Sequence, residues 1–519
     1  MKKILNLIFN RAVIIGLLIL LQLFFVFYGV IRFSEYVGVF YGIFTVLNFA
    51  VVCKIVSSRE NPSYKIAWII PILAMPPLGL AMYPLGLAMY ILFRGNSVSR
   101  KLKRILANIY GLMSFEPSDH CKAARKTITD EIAARQSDYM TRGANCPPYA
   151  DTEVSYFPCG EELLPVLLDK LEQAEKYIFL EYFIIEEGTM WNSILEVLKR
   201  KAQKGVDVRV VYDDMGCIAL LSAHYKKKLA QCGIKCRVFG RCVPILSATL
   251  NNRDHRKICV IDGKWGFTGG INIADEYINA KTKYGYWKDN AVMLYGKAAW
   301  SLTVMFLSMW DSLDIKNQMK YPDYDVYLPE NFDISGKGEG IVQPYTDNPF
   351  DDSPVSETVY LNMIYSAKEY IWITTPYLII DHSMERALCT AAESGIDVRI
   401  ITPGIPDKKV VYEVTRSNYK TLIASGVKIY EYTPGFIHAK TFVCDGKYAT
   451  VGTVNLDFRS LYLHFECGVW IYDAPVIEDI RADLEKTIAE SRRVTADSCK
   501  VNVFRRALRA LLELFSPLF

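Results

Sequence analysis

An internal repeat is the feature that most constrains the fold of this 519-residue chain. Residues 174–178 and 367–371 read AEKYI and AKEYI, and each segment leads into a run of apolar, β-branched and aromatic residues. A helical stretch follows in each copy, and then two strands that begin with glycine, at 205–211 and 233–239 in the first copy and at 395–401 and 426–432 in the second. Alternating strands and helices of this length predict an α/β fold with a mostly parallel sheet. Two copies in register predict two similar halves that share one site.

Each half also carries a histidine, a lysine, an aspartate and an asparagine at identical spacing. The lysine lies two residues after the histidine, the aspartate five residues after the lysine, and the asparagine ten residues after the aspartate. These residues are His255, Lys257, Asp262 and Asn272 in the first half, and His438, Lys440, Asp445 and Asn455 in the second. The chain contains only six histidines, so two of them at matched positions indicate a shared chemical role.

The spacing predicts which of these side chains reach a common centre. Side chains alternate between the two faces of a strand, so the histidine and the lysine of each motif point the same way. Asp262 and Asp445 have the opposite parity and precede glycines, which predicts a structural role at turns. Asn272 and Asn455 return on the next strand and can add amide donors. The two halves together would then form a cage of cationic and amide donors, which suits a phosphate.

Two histidines around a phosphodiester indicate a definite chemistry. One neutral imidazole attacks phosphorus to give a phosphohistidine, and the other, protonated, gives its proton to the leaving alkoxide. The second histidine then deprotonates an incoming hydroxyl, whose oxygen displaces the first. Because the cage compensates the charge, we expect no metal and no cofactor. The sequence contains no carboxylate-rich metal motif, and its 13 cysteines include no CxxC pair.

The paired HxKxxxxD motifs resemble those of the phospholipase D superfamily. Longer matches at 252–277, 434–440 and 455–460, with the apolar N-terminus, resemble bacterial cardiolipin synthases over nearly the whole chain. The resemblance implies two phospholipase D-like halves with mixed, mostly parallel sheets, packed as a pseudo-dimer. It also implies that two phosphatidylglycerols give cardiolipin and glycerol at an anionic bilayer. It favours His255 as the nucleophile, and it includes Asp262 and Asp445 in a supporting role.

The same resemblance implies two further acidic site residues. In the superfamily one acidic residue per half orients a catalytic histidine, and the matching positions here are Asp289 and Glu466. Such a carboxylate fixes the tautomer of the imidazole and stabilises the imidazolium. The chain departs from the family at His464, where members usually carry asparagine, and we expect a surface or packing substitution there.

Two uncharged runs near the N-terminus predict membrane-spanning helices. Residues 12–31 lie between Arg11 and Arg32, and residues 36–53 lie between Glu35 and Lys54. Each run is long enough to cross about 30 Å of hydrocarbon as a helix. Basic residues before the first run and after the second place both ends in the cytoplasm. We therefore expect a multi-pass protein of the cell membrane with a cytoplasmic catalytic body.

Two other apolar segments also bear on membrane association. Residues 66–93 are uncharged but contain four prolines, which favours an interfacial or re-entrant segment over a third span. Near the C-terminus, apolar residues form one helical stripe flanked by arginines, at positions 504, 508, 511, 512 and 515. This stripe either lies on an anionic bilayer or packs on the body of the protein.

Five regions follow from these patterns. They are a two-span membrane anchor at 1–60, a proline-rich segment and basic linker at 61–110, the two halves at 111–335 and 336–498, and an amphipathic helix at 499–519. The 60 basic and 56 acidic residues are too evenly balanced for a nucleic-acid binder. A membrane-bound phospholipase D that releases phosphatidic acid and a non-catalytic lipid-binding scaffold remain alternatives, and the sequence does not predict the oligomeric state.

Overall fold

The computed structural model describes residues 34–58, 61–74, 119–242, 251–314, 324–328, 338–349 and 353–518, and single residues between 13 and 28. The described helices are α1 (Ser34–Val56), α2 (Pro62–Ala74), α3 (Asp119–Thr127), α4 (Glu131–Ala144), α5 (Gly160–Glu172), α6 (Thr189–Gln203), α7 (Asp214–Cys217), α8 (Tyr225–Gln231), α9 (Ala299–Ser312), α10 (Val355–Ser366), α11 (His382–Glu393), α12 (Lys409–Ala424), α13 (Phe458–Tyr462), α14 (Val476–Ala489) and α15 (Val503–Leu514). Short 3-10 turns lie at Asp275–Ile278, Tyr324–Tyr327, Asp497–Cys499 and Ser516–Leu518.

The strands fall into two large sheets and one small one. Their bounds are β1 (Thr152–Phe157), β2 (Tyr177–Tyr182), β3 (Asp207–Asp213), β4 (Lys235–Phe239), β5 (Lys257–Ile261), β6 (Trp265–Gly269), β7 (Tyr286–Lys288), β8 (Ala291–Gly296), β9 (Ile341–Asp347), β10 (Tyr370–Thr374), β11 (Asp397–Pro403), β12 (Lys428–Tyr432), β13 (Gly435–Ile437), β14 (Thr441–Cys444), β15 (Tyr448–Gly452), β16 (Glu466–Tyr472) and β17 (Ser491–Arg493).

The two large sheets have the same strand order. The first sheet has the order β1-β8-β6-β5-β2-β3-β4. The second, read from its β9 edge, has the equivalent order β9-β16-β15-β14-β10-β11-β12, and β17 is added next to β12. The predicted repeat of two similar halves is therefore confirmed. The halves also share one hydrophobic core, which contains the buried side chains of Phe179 and Val260 from the first half and Ile373 and Val443 from the second.

The prediction of mostly parallel sheets is wrong. In the described part of each large sheet only two neighbouring pairs are parallel, β2 with β3 and β3 with β4 in the first half, and β10 with β11 and β11 with β12 in the second. The other pairs in both sheets are antiparallel. The sequence pattern predicted the helical crossovers, which give the parallel pairs. The two strands that carry each motif, β5 with β6 and β14 with β15, are instead joined by turns too short for a crossover and are antiparallel.

The aspartate of each motif closes one of these turns. Asp262 and Asp445 have positive φ values of 52° and 53°, a region that aspartate tolerates better than most residues. The carboxylate of Asp262 accepts from the backbone N–H groups of Glu175, Lys176 and Tyr177 at 2.7–2.8 Å. Asp445 accepts from the equivalent N–H groups of residues 368, 369 and 370 at 2.7–2.9 Å. Both aspartates therefore tie the motif turn to the repeated segment before β2 or β10.

We predict that Asp262→Ala lowers the free energy of unfolding by about 2–3 kcal/mol, because it removes the acceptor for three N–H groups. Asp445→Ala should cost less, since the N–H of Tyr177 is buried whereas that of Tyr370 is only partly buried. Denaturant titration of both variants measures the difference. Asp262→Asn keeps one acceptor oxygen and serves as the matched control, and an equal loss in all three variants would contradict this role.

The N-terminal region is described only in part. Within the residues whose side chains are described, no helix is long and apolar enough to cross a membrane. The expected first span at 12–31 lies largely outside the described residues, and the expected second span falls on α1, whose side chains are described only from residue 45 onward. Of the segment 66–93, the structure describes only the part up to Ala74, which is helical in α2.

Candidate active site

The second motif histidine is placed by a small sheet that joins the two halves. Strand β13 pairs in parallel with β7, so that Ile437 lies opposite Lys288. The N–H of His438 extends this pairing and donates to the carbonyl of Lys288 at 2.7 Å. Asp289 follows Lys288 directly, and its Oδ2 lies 2.7 Å from Nδ1 of His438. The small sheet therefore brings a carboxylate from the first half onto the histidine of the second.

The first motif histidine is placed in the same way. Asp254 and Phe465 form an isolated parallel bridge between the halves. The N–H of His255 donates to the carbonyl of Phe465 at 2.9 Å. Glu466 follows Phe465, and its Oε1 and Oε2 lie 2.9 Å and 3.0 Å from Nδ1 of His255. Each carboxylate thus contacts the histidine of the opposite half, a crossing that the repeat pattern alone does not indicate.

The protonation of these pairs follows from their burial and charges. Burial opposes ionisation of Glu466, but the attraction of His255 outweighs it and lowers the pKa of this carboxyl. The pKa of Asp289 is likewise lowered, because His438 and Lys440 outweigh its burial. Burial lowers the pKa of His255 to about 3 and that of His438 to about 4. At neutral pH each ring is therefore neutral, donates from Nδ1 to its carboxylate, and keeps a lone pair on Nε2.

The motif lysines are buried beside their own histidines. Lys257 Nζ donates to the carbonyl of His255 at 2.6 Å, and Lys440 donates to the carbonyl of His438. Burial lowers the pKa of Lys257 to about 8 and that of Lys440 to about 7. The charge of Lys257 also lowers the pKa of both His255 and His438, which places all four groups in one electrostatic neighbourhood.

The predicted amide donors are engaged with nearby protein groups. Asn272 accepts from the N–H of Ile184 at 3.0 Å and donates to the hydroxyl of Tyr277 at 2.8 Å. Asn455 donates to Asp457 at 3.0 Å. The Tyr277 ring in turn lies 5.6 Å from the ring of His438. In these contacts the asparagines support the walls of the site, and their direct contact with a phosphate stays a prediction.

Glycine is required next to the carboxylate of the first half. A Cβ at Gly270 would lie 2.0 Å from Oδ1 of Asp289, so any side chain there would displace the carboxylate that holds His438. The second glycine of the pair is thus explained by close approach to Asp289, whereas a Cβ at the first, Gly269, would lie 2.4 Å from the backbone oxygen of Asn290. Aromatic rings line the other sides of the histidines, with Trp287 5.5 Å from His438 and Phe183 5.1 Å from His255.

The sequence interpretation did not anticipate the position of His464. This residue was expected either at the surface or as a packing substitution. The surface alternative is wrong, because only 10% of its side-chain surface is exposed, and its Nδ1 lies 3.6 Å from Oε1 of Glu466. Thr453, which follows the motif glycine of the second half, donates its hydroxyl to Oε2 of the same carboxylate. Glu466 therefore contacts His255, His464 and Thr453. The departure from asparagine at position 464 was the signal that could have indicated this environment.

Comparison with protein families gives two matches. Residues 167–310 and 360–488 match the family described as "Cardiolipin synthase, PLD-like domain", and each segment contains one motif. Residues 46–83 match the family described as "Phospholipase_D-nuclease N-terminal". The first family covers every residue of the two histidine–carboxylate pairs and all strands of the two large sheets except β1, β9 and β17.

Individual relatives and a solved structure agree with this assignment. The chain is 32% identical to cardiolipin synthase 2 of Bacillus anthracis over 92% of this chain and 90% of the relative. It is 33% identical to a cardiolipin synthase of Geobacillus over 89% and 91%, and 47% identical to an uncharacterised protein of Streptococcus mutans over 74% and 82%. The crystal structure of phosphatidylserine synthase from Haemophilus influenzae superposes with a TM-score of 0.56 at 16% identity, over 75% of this chain and 98% of that one, and thus shares the fold. The chain belongs to the PLD-like cardiolipin synthase family.

Proposed function

We propose that this protein is a cardiolipin synthase that transfers a phosphatidyl group from one phosphatidylglycerol to a glycerol hydroxyl of another, releasing glycerol. The observation that carries the proposal is the pair of buried histidine–carboxylate contacts, each made across the two halves and each with a lysine beside it. This arrangement supplies a nucleophile, a general acid and cationic donors for one phosphodiester. Family membership supplies the substrate class, a phospholipid.

In the first step Nε2 of His255 attacks phosphorus. The N–P bond forms, the bond from phosphorus to the glycerol oxygen breaks, and that oxygen takes a proton from His438. The ring of His255 gains positive charge as its lone pair is shared with phosphorus. Glu466, which accepts from Nδ1 of this ring, stabilises that charge. The product is a phosphatidyl-histidine and free glycerol.

In the second step His438, now neutral, accepts the proton of the incoming lipid hydroxyl. The hydroxyl oxygen bonds to phosphorus and the N–P bond breaks, which restores His255 and gives cardiolipin. The number of phosphodiesters is unchanged, so no nucleotide is consumed. The buried setting of both histidines favours the lipid hydroxyl over water as acceptor.

The general acid needs a proton that the free site does not hold. His438 is neutral in the free protein because burial and the charge of Lys440 lower its pKa. A bound phosphodiester brings a negative charge, which favours the protonated imidazole and raises that pKa. Substrate binding therefore prepares His438 to protonate the leaving group.

We predict that kcat/KM for phosphatidylglycerol falls by more than about 100-fold between pH 7 and pH 9. The pKa of Lys440 is about 7 and that of Lys257 about 8, so rising pH removes both charges from the free site. Three nearby carboxylates raise the pKa of Lys440 and so oppose its loss of charge: Asp289, Glu466 and Asp457. The charge of Lys257 lowers this pKa and promotes the loss. Because the bound phosphate raises both lysine pKa values, kcat should change less than kcat/KM. Initial rates across this pH range measure both, and a flat kcat/KM profile would contradict the prediction.

Membrane association is supported by exposed apolar side chains on two neighbouring helices. On α15, Arg505 and Arg509 donate to Glu413 of α12 at 3.0 Å and 2.9 Å, so the arginine side of the helix faces the protein. Its apolar side is open, and Phe504 is 88% exposed. Helix α2 also exposes apolar residues, among them Ile66 and Leu73. An anionic bilayer surface would cover these side chains. We propose a multi-pass protein of the cell membrane whose catalytic body faces the cytoplasm.

The test is to supply the purified full-length protein with vesicles of phosphatidylglycerol and to identify the products by chromatography. Cardiolipin and glycerol in equal amounts are expected, at a rate that a chelator does not lower. Phosphatidic acid as the main product would instead indicate a membrane-bound phospholipase D. Retained lipid binding without turnover would indicate a non-catalytic scaffold.

A further inference from the structure

His464 lies inside the active site, next to the carboxylate of Glu466. About nine-tenths of its side chain is buried, and its ring centroid is 5.6 Å from that of His255. Among the described residues, neither ring nitrogen of His464 has a hydrogen-bond partner. Buried polar atoms in proteins are nearly always paired, and exceptions require an explanation. Within the described part of the chain, Nδ1 of this imidazole lies 3.6 Å from a carboxylate oxygen of Glu466 without a hydrogen bond to it, which points to a ligand shared by the two groups.

The surrounding atoms have the spacing of a metal site. Oε1 of Glu466 lies 2.9 Å from Nδ1 of His255 and 3.6 Å from Nδ1 of His464. One ligand atom from each of these three residues lies within 4.8 Å of the other two. In a tetrahedral zinc site, with ligands about 2.0–2.2 Å from the ion, neighbouring ligand atoms are about 3.4 Å apart. Small side-chain rotations would therefore bring all three residues onto one ion.

We propose that His255, His464 and Glu466 form an inhibitory site for a divalent cation of the zinc class. Two imidazoles and one carboxylate are a ligand set that Zn²⁺ binds well, with the fourth position left for water. Hard cations such as Mg²⁺ prefer oxygen ligands and do not suit two imidazoles. The inhibitory consequence rests on the proposed function, whereas the binding of the ion does not.

Inhibition follows from the tautomer of His255. In the active form Nδ1 carries the proton and donates to Glu466, and the lone pair on Nε2 attacks phosphorus. A cation on Nδ1 occupies that nitrogen's lone pair, so the neutral ring must carry its proton on Nε2. The proton count of the ring is unchanged, but Nε2 no longer has a lone pair to form the N–P bond. The metal-bound protein is therefore unable to start the reaction.

The local charges indicate a reversible rather than a resident ion. The carboxylate of Glu466 offsets part of the metal charge, and Thr453 holds its other oxygen in place. The ammonium of Lys257 lies beside His255, where it donates to the backbone carbonyl, and it repels a dication. The site thus combines three ligands with a nearby repulsive charge, which suits inhibition by free metal.

The binding test uses Co²⁺ as a spectroscopic probe for Zn²⁺ on the full-length protein in detergent. We expect the intense visible bands of four- or five-coordinate Co²⁺ in the wild type, and their loss when Zn²⁺ is added. His464→Asn, which restores the residue usual in the family, should weaken Co²⁺ binding by at least about 100-fold. His224→Asn removes an exposed histidine and is the matched control, with unchanged bands. Absence of the bands in the wild type, or equal bands in His464→Asn, would overturn the proposal.

The activity test is separate from the binding test. Zn²⁺ should inhibit cardiolipin formation by the wild type, a chelator should restore it, and His464→Asn should resist inhibition when compared with its own metal-free rate. Co²⁺ bands without any inhibition by Zn²⁺ would overturn the inhibitory role. Co²⁺ bands in a protein that never forms cardiolipin would count against the proposed function while leaving the metal site in place.

Discussion

His255→Gln is expected to lower the rate of cardiolipin formation by at least about 10⁴-fold, because the variant lacks the nitrogen that bonds to phosphorus. His438→Gln should lower it by a similar factor with phosphatidylglycerol, because glycerol is a poor leaving group without a proton donor. The rate with the natural substrate therefore does not distinguish the two histidines. The distinction comes from a phosphatidyl ester of p-nitrophenol, whose leaving group departs without protonation.

With this activated ester the two variants should behave differently. His438→Gln retains the nucleophile but lacks the base for the second step, so it should release one equivalent of p-nitrophenol and accumulate a phosphatidyl group on His255. His255→Gln should release none. Mass spectrometry of protein quenched with denaturant and digested at mildly alkaline pH locates the modified histidine, because the N–P bond of a phosphohistidine hydrolyses in acid. A burst in His255→Gln, with the label on His438, would reverse the assigned roles. His224→Asn controls for non-specific effects of removing a histidine.

Much of the fold was predictable because the features that define it are repeated. The strands predicted at 205–211 and 395–401 lie within two residues of β3 and β11. The structural role predicted for Asp262 from parity agrees with its three backbone contacts. The number of parallel strand pairs was overestimated. Helical crossovers between strands leave a clear periodic pattern in the sequence, whereas tight turns between antiparallel strands leave only a weak one.

The crossing of the carboxylates was not predictable from the pattern. Asp289 and Glu466 were identified by resemblance, one in each half, but their partners depend on a three-residue strand pair and on a single bridge between Asp254 and Phe465. Contacts that involve only a few residues, distant from each other in the chain, produce no periodic pattern in the sequence. His464 directly precedes Phe465 of this bridge, and its position beside Glu466 was indicated in the sequence only by the departure from asparagine.

The two crossed carboxylates should act on different events of the first step, Glu466 on formation of the N–P bond and Asp289 on protonation of the leaving group. Glu466→Gln and Asp289→Asn are each expected to lower the rate with phosphatidylglycerol by about 10²–10⁴-fold, because an amide no longer stabilises charge on the histidine that it contacts. With the p-nitrophenol ester, Glu466→Gln should still slow the burst, since charge develops on His255 as the N–P bond forms. Asp289→Asn should leave the burst nearly intact, because its partner His438 is not needed to protonate this leaving group.

Stopped-flow measurement of p-nitrophenol release separates these two outcomes, and thermal unfolding of both isosteric variants checks that the fold is retained. Equal slowing of the burst in both variants would contradict the assignment of one carboxylate to each histidine.

The crossing of the carboxylates also determines how the active site depends on the two halves. Because Glu466 belongs to the half opposite His255, and Asp289 to the half opposite His438, neither half contains a complete histidine–carboxylate pair. The nucleophile and the general acid are therefore both assembled only when the halves pack together.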